Sequence, residues 1–529
     1  MLATLVASCR LRRSNCHLLL LAAGAVVGAA GACQGFGLEA EAWEYVGYLA
    51  GVAAQNPLPR DAKDLLFDLI RILERAGSLD AAAEACPWEL ATILAQSLTR
   101  IEKERGEVAM LAALARASAL RGRLTGEQAE EAESQLAWPA GLVHALEGRA
   151  DAAVCGVPGA PRIYVYATGE FSDRPLACSA GMEGVEVFFH RFLLASACRT
   201  EDPDEAELFF VPFYSFCYQN EHLAPGNETA ELDVLNLRLV ASLAHYRGER
   251  RARHLFLFPH EFWDFPSWRS VVREAQLLVV EANPLEWTVE EQRSGGAPTH
   301  CLDCFDGSKD VVLPGHTDYW TTRQLAALRK PWAERQYLVC YHGAFSHSLY
   351  DNVHSAIPFD TTAGATRAAL AELRDLALPR VSIGGHLRPV RAYYERVADC
   401  QYCLVPKGVG FTNGRLMEAF FSGCVPVILS DAMIVPFDQF LHWPAFSLKL
   451  HMPRSLAEAR AIVDYLASLP PAQGAAMQAS LAEHRCWFDY GPHSRHDCSP
   501  FEGLLRVLTW QGRSRAPRRY WGGPARNAG

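Results

Sequence analysis

The sequence has no basic excess: 50 Lys and Arg stand against 60 Asp and Glu, a net charge of −10 over 529 residues. That balance argues against a nucleic-acid binder, because phosphate backbones select basic surfaces. Long disordered tracts are lacking as well. With 21% charged and 50% hydrophobic residues the composition is that of an ordinary globular chain. No repeat period runs through it, which leaves a helical-repeat module without support. The apolar run from Leu18 to Cys33 is also short. As a helix it spans about 24 Å, less than the roughly 30 Å of a hydrocarbon core.

That run nevertheless follows Arg10, Arg12 and Arg13 and reads as a signal anchor, with residues 1–38 as cytoplasmic tail plus membrane segment. Ala30 and Ala32 fit a small-residue cleavage site, so a removed signal peptide is the rival. Either way the remainder is expected in the secretory lumen. Sixteen cysteines fit that oxidising compartment, and Asn227-Glu228-Thr229 is a glycosylation sequon usable there. Two C-x-x-C pairs occur, Cys301/Cys304 and Cys400/Cys403. A zinc site needs both to converge. Cys403 instead leads into a buried strand and is expected to pack as a small hydrophobe, while a local disulfide is expected around Cys301.

Residues 39–155 are Ala/Leu-rich and helical in pattern, with Leu65, Leu69, Ile72 and Leu73 on one stripe. They read as a stem, and "GVPGAP" as the linker after it. From Pro161 short apolar runs alternate with helical segments: "RIYVYA", "ELFFVPF", "HLFLF", "QLLVV", "DVVLP", "QYLVCYHG", "QYCLVP", "CVPVILS" and "AFSLKL". Runs buried on both faces and joined by helices mean parallel sheets. About 330 residues of this exceed one sheet. The expected fold class is therefore α/β with two Rossmann-like domains, 156–330 and 331–490, followed by a tail at 491–529.

The stretch "CLVPKGVGFTNGRLMEAFFSGCVPVILSD" has the order strand, glycine loop, helix, strand. Ligands of open α/β sheets sit beyond the carboxyl ends of strands. Gly408 and Gly410 allow close backbone approach, Lys407 adds positive charge, and Thr412 or Asn413 can cap the helix. Arg415 sits in its first turn and Glu418 one turn on. Arginine suits a diphosphate, and a carboxylate suits two ribose hydroxyls. The bland alternative is a glycine-rich connection followed by a surface Arg–Glu pair.

These motifs, with "RLMEA", "GCVPVI", "SD" and "PFDQFLHWPAFSLKL", resemble the exostosin-type glycosyltransferase family, glycosyltransferase family 47. The upstream segments "IYVYATGEF", "FFHRFLLASACRTEDPDEAELFFVPFY", "HLFLFPHEFWDF" and "KDVVLPGHTDYW" follow in that family's order, so the resemblance covers about residues 161–490. It implies a type II Golgi membrane protein with a GT-B fold, two Rossmann-like domains facing a cleft. It implies transfer of a sugar from a UDP-sugar donor to a glycan or polysaccharide acceptor with inversion. Carried over by position, Glu418 would bind the ribose; Lys407, Gly408 and Arg415 the diphosphate; and Asp431 would close the pocket. Gly343 would be the loop facing the donor. Two departures stand out: Val409 replaces an acid after the glycine, and Asn413-Gly414 leaves Arg415 without a preceding basic run. They motivate the alternative of a non-catalytic subunit beside a partner glycosyltransferase; a further alternative, a carbohydrate-binding protein, would keep the aromatics of its N-terminal half but need neither Arg415 nor Glu418.

Inverting transfer needs a general base. The segment "PHEFWDFPSW" after strand "HLFLF" offers Glu261 first, then His260 and Asp264, with Trp263 and Trp268 to stack on sugars. His190, in "VFFHRF", reads as a packed histidine. Asp202-Pro203-Asp204 has the D-x-D form of metal-dependent transferases but precedes a strand. It reads as a turn, so no metal cofactor is expected.

Overall fold

A computed structural model describes residues 79–126, 157–259, 271–343, 361–491 and 498–509, together with Phe67, Ile70, Arg71, Glu74 and Phe345. Breaks fall at 86, 106, 173–181, 223–227, 281, 283–304, 318, 388–389, 408–413 and 431–432. The apolar run Leu18–Cys33, the stripe at Leu65, Leu69, Ile72 and Leu73, the sequon at Asn227 and the pair Cys301/Cys304 lie outside the described residues or side chains. Among the described residues no helix is long and apolar enough to cross a membrane.

The chain divides into two compact units, residues 1–140 with 175–177, and the remainder. In the first unit α1 (Leu79–Ala85), α2 (Pro87–Arg105) and α3 (Glu107–Arg121) pack together. Leu90, Ile93, Leu94, Leu98 and Ile101 recur at helical spacing on α2 and meet Met110, Leu114, Ala117 and Leu120 of α3 in a buried seam. Asp80 pairs with Arg116.

The second unit holds two all-parallel sheets. The first has the order β2-β1-β3-β4-β5-β6, where β1 is Ile163–Val165, β2 Arg199–Thr200, β3 Leu208–Val211, β4 His254–Phe258, β5 Gln276–Val279 and β6 Val311–Val312. Its crossovers include α4 (Val185–Ala195), α5 (Ser215–His222) and α6 (Glu228–Ser242). Phe209, Val211, Phe256, Phe258, Leu277 and Val279 form the centre of its core, covered by Leu232, Leu235 and Leu239 of α6. After β6 comes α7 (Tyr319–Ala327), which packs on helices of the next sheet.

The second sheet has the order β11-β10-β9-β7-β8, with β7 Tyr337–His342, β8 Val381–Gly384, β9 Cys400–Pro406, β10 Val425–Leu429 and β11 Leu448–Leu450. Its helices are α8 (Thr361–Asp375), α9 (Val390–Ala398), α10 (Gly414–Ser422), α11 (Leu456–Ser468) and α12 (Pro471–His484). Segments beyond β10 return to the first sheet. Phe437 N donates to Val312 O at 3.1 Å, and Tyr490 Oη to Pro314 O at 2.6 Å.

The segment read as a tail, 491–529, contains a packed helix: α13 (Pro500–Thr509) buries Phe501, Leu504, Leu505 and Leu508. Phe501 stacks on Phe192 of α4 at 4.5 Å and meets Phe189 edge-on at 5.1 Å. One expectation needs correction: Cys403 does not pack as a free small hydrophobe. It is bonded to Cys424, and its C-x-x-C mate Cys400 to Cys340. Both sulfurs of that pair are committed to disulfides, so the pair is not a zinc half-site. Cys486 is bonded to Cys498.

Buried polar groups in the first sheet set its pH response. His190 is packed, bonded through Nδ1 to Tyr214 Oη at 2.7 Å. His254 stacks on Phe209 at 4.8 Å, with Tyr166 Oη 2.9 Å from Nε2 and Arg250 O 2.8 Å from Nδ1. Burial lowers both rings from 6.5 to about 4. Between those values the unfolded chain binds protons that the folded chain refuses, so stability is lost as pH falls through that window. At pH 5 the deficit is about 2 kcal/mol per histidine. Burial works the other way on Glu186 and Asp310, raised to about 8 and about 6, so the test is a difference: in a melting series from pH 7.5 to 4.5 the midpoint of His254→Phe should rise relative to that of the parent protein as pH falls. A difference between the two proteins that stays constant with pH contradicts a neutral buried His254 ring.

Candidate functional site

The second sheet brings three strand ends side by side. Leu429 of β10 lies opposite Pro406 of β9, and Cys340 of β7 opposite Cys403. Carrying that register three residues on puts Gly343 beside Pro406. The carboxyl ends of β7, β9 and β10 thus form one edge made of His342-Gly343, Pro406-Lys407 and Leu429-Ser430, where α/β sheets bind ligands.

Helix α10 connects β9 to β10 and so runs back along the sheet, its first turn starting near that edge. Leu416, Met417, Ala419, Phe420 and Phe421 are its buried face. Phe420 stacks on Phe488 at 4.1 Å and meets Trp443 at 5.5 Å. The helix stops at a glycine because the last turn closes through a left-handed residue. Gly423 has φ +72°, Cys424 N donates to Ala419 O at 3.0 Å, and Gly423 N to Phe420 O.

Arg415 is anchored to β7. Its Nε donates to His342 O at 3.1 Å, and its guanidinium stands 5.4 Å from the Tyr341 ring. It also fills the space over Gly343, where an added Cβ would lie 2.7 Å from Arg415 Cζ. The glycine is therefore needed for a close approach. Glu418, half-buried one turn on, accepts a hydrogen bond from Tyr393 Oη of α9. Lys407 is 4% exposed at the end of β9, and its backbone N–H donates to Leu429 O at 3.2 Å. The structure thus brings Gly343 and Arg415 into contact, sets Lys407 on the same edge and puts Glu418 on the same helix. Gly408 and Asp431 lie outside the described residues, as do His260, Glu261 and Asp264.

Two participants were not foreseen. His342 Nδ1 is 3.2 Å from Gly385 O and Nε2 2.9 Å from Ser382 Oγ, which also accepts from Arg396. A carbonyl only accepts, so Nδ1 carries the proton and Nε2 accepts from the serine. Burial lowers the ring's pKa, with Arg396 and Arg415 adding to the effect. The neutral ring steadies the end of β7 that holds Arg415. Tyr393 is the other. Nothing in the sequence pairs it with Glu418, since the contact arises from α9 packing on α10.

In the first sheet Asp202 and Asp204 form a turn before β3, at its amino end. Asp204 N donates to Asp202 Oδ1 at 2.8 Å, and the Asp204 carboxylate pairs with Arg250 at 2.9 Å. At the carboxyl end of β3, Glu186 caps α5. It accepts from Cys217 N at 3.0 Å, Phe216 N at 3.3 Å and Ser215 Oγ at 3.5 Å. Burial pushes its carboxyl up to about 8 against those bonds. Its oxygens are turned to the helix, so it serves as a cap.

Parallel strand ends, an arginine in the first turn of α10 and a carboxylate one turn later thus lie together at one edge of the second sheet. A family model, the Exostosin GT47 domain, matches residues 159–466. The chain belongs to the exostosin GT47 family of glycosyltransferases. It is 27% identical over 299 residues to a protein of Oryza sativa subsp. japonica named probable glucuronosyltransferase GUT1, covering 54% of this chain and 66% of that one. It is 27% identical over 300 residues to the Arabidopsis thaliana protein named probable beta-1,4-xylosyltransferase IRX10, covering 54% and 67%. The chain therefore spans about two thirds of the length of these relatives.

Proposed function

We propose that the protein is an inverting glycosyltransferase of GT-B type that moves a sugar from a UDP-sugar to a glycan or polysaccharide acceptor. The observation that carries this reading is Arg415, held by His342 O and Gly343 against the carboxyl edge of the second sheet. There it would meet the diphosphate together with Lys407, Gly408 and the start of α10. Glu418 would take the ribose and Asp431 would close the pocket. The acceptor hydroxyl oxygen attacks the anomeric carbon as the bond to the UDP oxygen breaks. The hydroxyl proton passes to a base in 260–264, Glu261 before His260 or Asp264. The leaving diphosphate is stabilised by side chains and backbone, and turnover needs no metal. The N-terminal run would hold the protein in the Golgi membrane as a single-pass type II protein, with residues 39–155 as stem and Asn227 glycosylated in the lumen.

A panel of UDP-sugars that includes the glucuronosyl and xylosyl donors suggested by the relatives' names tests the reading. Release of UDP with one donor, unchanged by EDTA, is expected. Turnover lost in EDTA and restored by manganese overturns metal independence. The absent acid at Val409 and the single Arg415 favour a second reading, a non-catalytic subunit that stabilises a partner glycosyltransferase. Calorimetry separates the two, because a pure scaffold binds no UDP.

A further inference from the structure

We propose that Tyr393 is a positioning residue for nucleotide recognition: its phenol fixes the Glu418 carboxylate in the orientation that meets a ribose diol. The inference rests on the donor-site reading above, but the two can fail separately.

The geometry has three parts. Tyr393 Oη donates to Glu418 Oε2 across the α9–α10 contact. The tyrosine ring packs on a cluster of Cys340, Val397, Cys400, Cys403, Ala419 and Cys424, whose four cysteines form two disulfides. A ring seated on cross-linked sulfur has little freedom to swing away. The neighbouring Tyr394 is buried, its Oη 3.0 Å from Thr321 Oγ1 of α7, which fixes the same turn of α9 from the other side.

The chemistry favours a fixed donor. Burial, and then the charge of Glu418, hold the Tyr393 phenol well above its ordinary value, while Arg415 pulls the other way. The phenol therefore stays an O–H donor wherever the protein is folded, and Glu418 is always the acceptor. A carboxylate offers about four lone-pair sites, and the phenol occupies one of them from a fixed direction. A glutamate that loses this donor leaves more of its ordering to the ligand, which weakens binding. Arg415 on the same face reads phosphate charge. Tyr393 acts only through Glu418, so its removal should erase discrimination between ribose and a sugar lacking the diol, and spare affinity for the diphosphate.

Calorimetry on the full chain with UDP and 2′,3′-dideoxy-UDP tests this. The wild-type protein should prefer UDP by about tenfold, the worth of one good hydrogen bond to a charged group. Tyr393→Phe keeps the ring on its sulfur cluster and should bring that preference to about twofold or less, with dideoxy-UDP affinity unchanged. A Tyr393→Phe protein that keeps the full preference overturns the role. If Glu418→Ala abolishes the preference while Tyr393→Phe does not, only Tyr393 loses its assignment. If Glu418→Ala also keeps it, the ribose site itself is wrong. Should Tyr393→Phe bind neither nucleotide, Glu418→Asp carries the comparison, since it keeps the charge and the phenol but parts them. Loss of preference there supports the role, and retention overturns it.

Discussion

Arg415→Ala should lower kcat/KM for the sugar donor by roughly 10²–10³, about 3–4 kcal/mol of transition-state stabilisation. Charge on the leaving diphosphate grows as the glycosidic bond breaks, so a guanidinium fixed beside it contributes more at the transition state than in the ground state. Both kcat and KM should therefore suffer, kcat more. Gly343→Ala provides an internal control. Its added Cβ would occupy the space of the guanidinium, pushing Arg415 off His342 O without removing the charge. Misplacement of about 1 Å is enough to cost on the order of 10²-fold, so this variant should fall between wild type and Arg415→Ala. The double variant should be no worse than Arg415→Ala alone, because the glycine acts only by making room. Steady-state kinetics with the best donor decides the matter. An Arg415→Ala enzyme within threefold of wild type removes this residue from the site.

The second large effect is on stability. Cys340–Cys400 closes a chain separation of 60 residues and Cys403–Cys424 one of 21. Chain-entropy arguments assign about 4 kcal/mol to the longer loop and about 3 kcal/mol to the shorter. Together these are a large fraction of what holds an average domain folded. Ala substitution of Cys340 and Cys400 should lower the denaturant midpoint markedly, and removal of both bridges should leave the second sheet unable to fold alone. The bridges join β7, β9 and the start of β10, and Tyr393 packs on them. Donor affinity should therefore fall before the global transition when the protein is titrated with reductant. Equilibrium unfolding with and without a reducing agent checks this, and coincident curves refute it.

Much of the α/β frame was legible in the sequence because its central strands are apolar on both faces. Runs such as "HLFLF" and "CVPVILS" could hardly be anything else. The strands that escaped notice are the edge pair, β2 with two residues and β8, "VSIG", whose alternation is too brief to stand out from a loop. The cysteine bonds escaped because pairing is a fact of space: Cys340 and Cys400 are neighbours only once β7 and β9 are zipped in register. Helix α13 escaped for a different reason. Phe501, Leu504, Leu505 and Leu508 have amphipathic spacing over only ten residues, and the rings that Phe501 meets, Phe189 and Phe192, lie far back in the chain. At the site, glycine, arginine and glutamate were readable from the loop–helix pattern. What Arg415 and Glu418 bind within the protein was not, since His342 and Tyr393 arrive from β7 and α9.

Helix α13 has a practical meaning for anyone who handles the gene. Its Gly503 lies against Phe437, its Arg506 over Trp487, and its Phe501 against the first sheet's Phe189 and Phe192. Helix α13 is thus a plug that completes hydrophobic surfaces made earlier in the chain, those at Phe189 and Phe192 far earlier. A nonsense mutation near residue 495 would therefore behave like a core deletion, and a nascent chain still tethered to the ribosome would carry those phenylalanines uncovered until α13 had emerged.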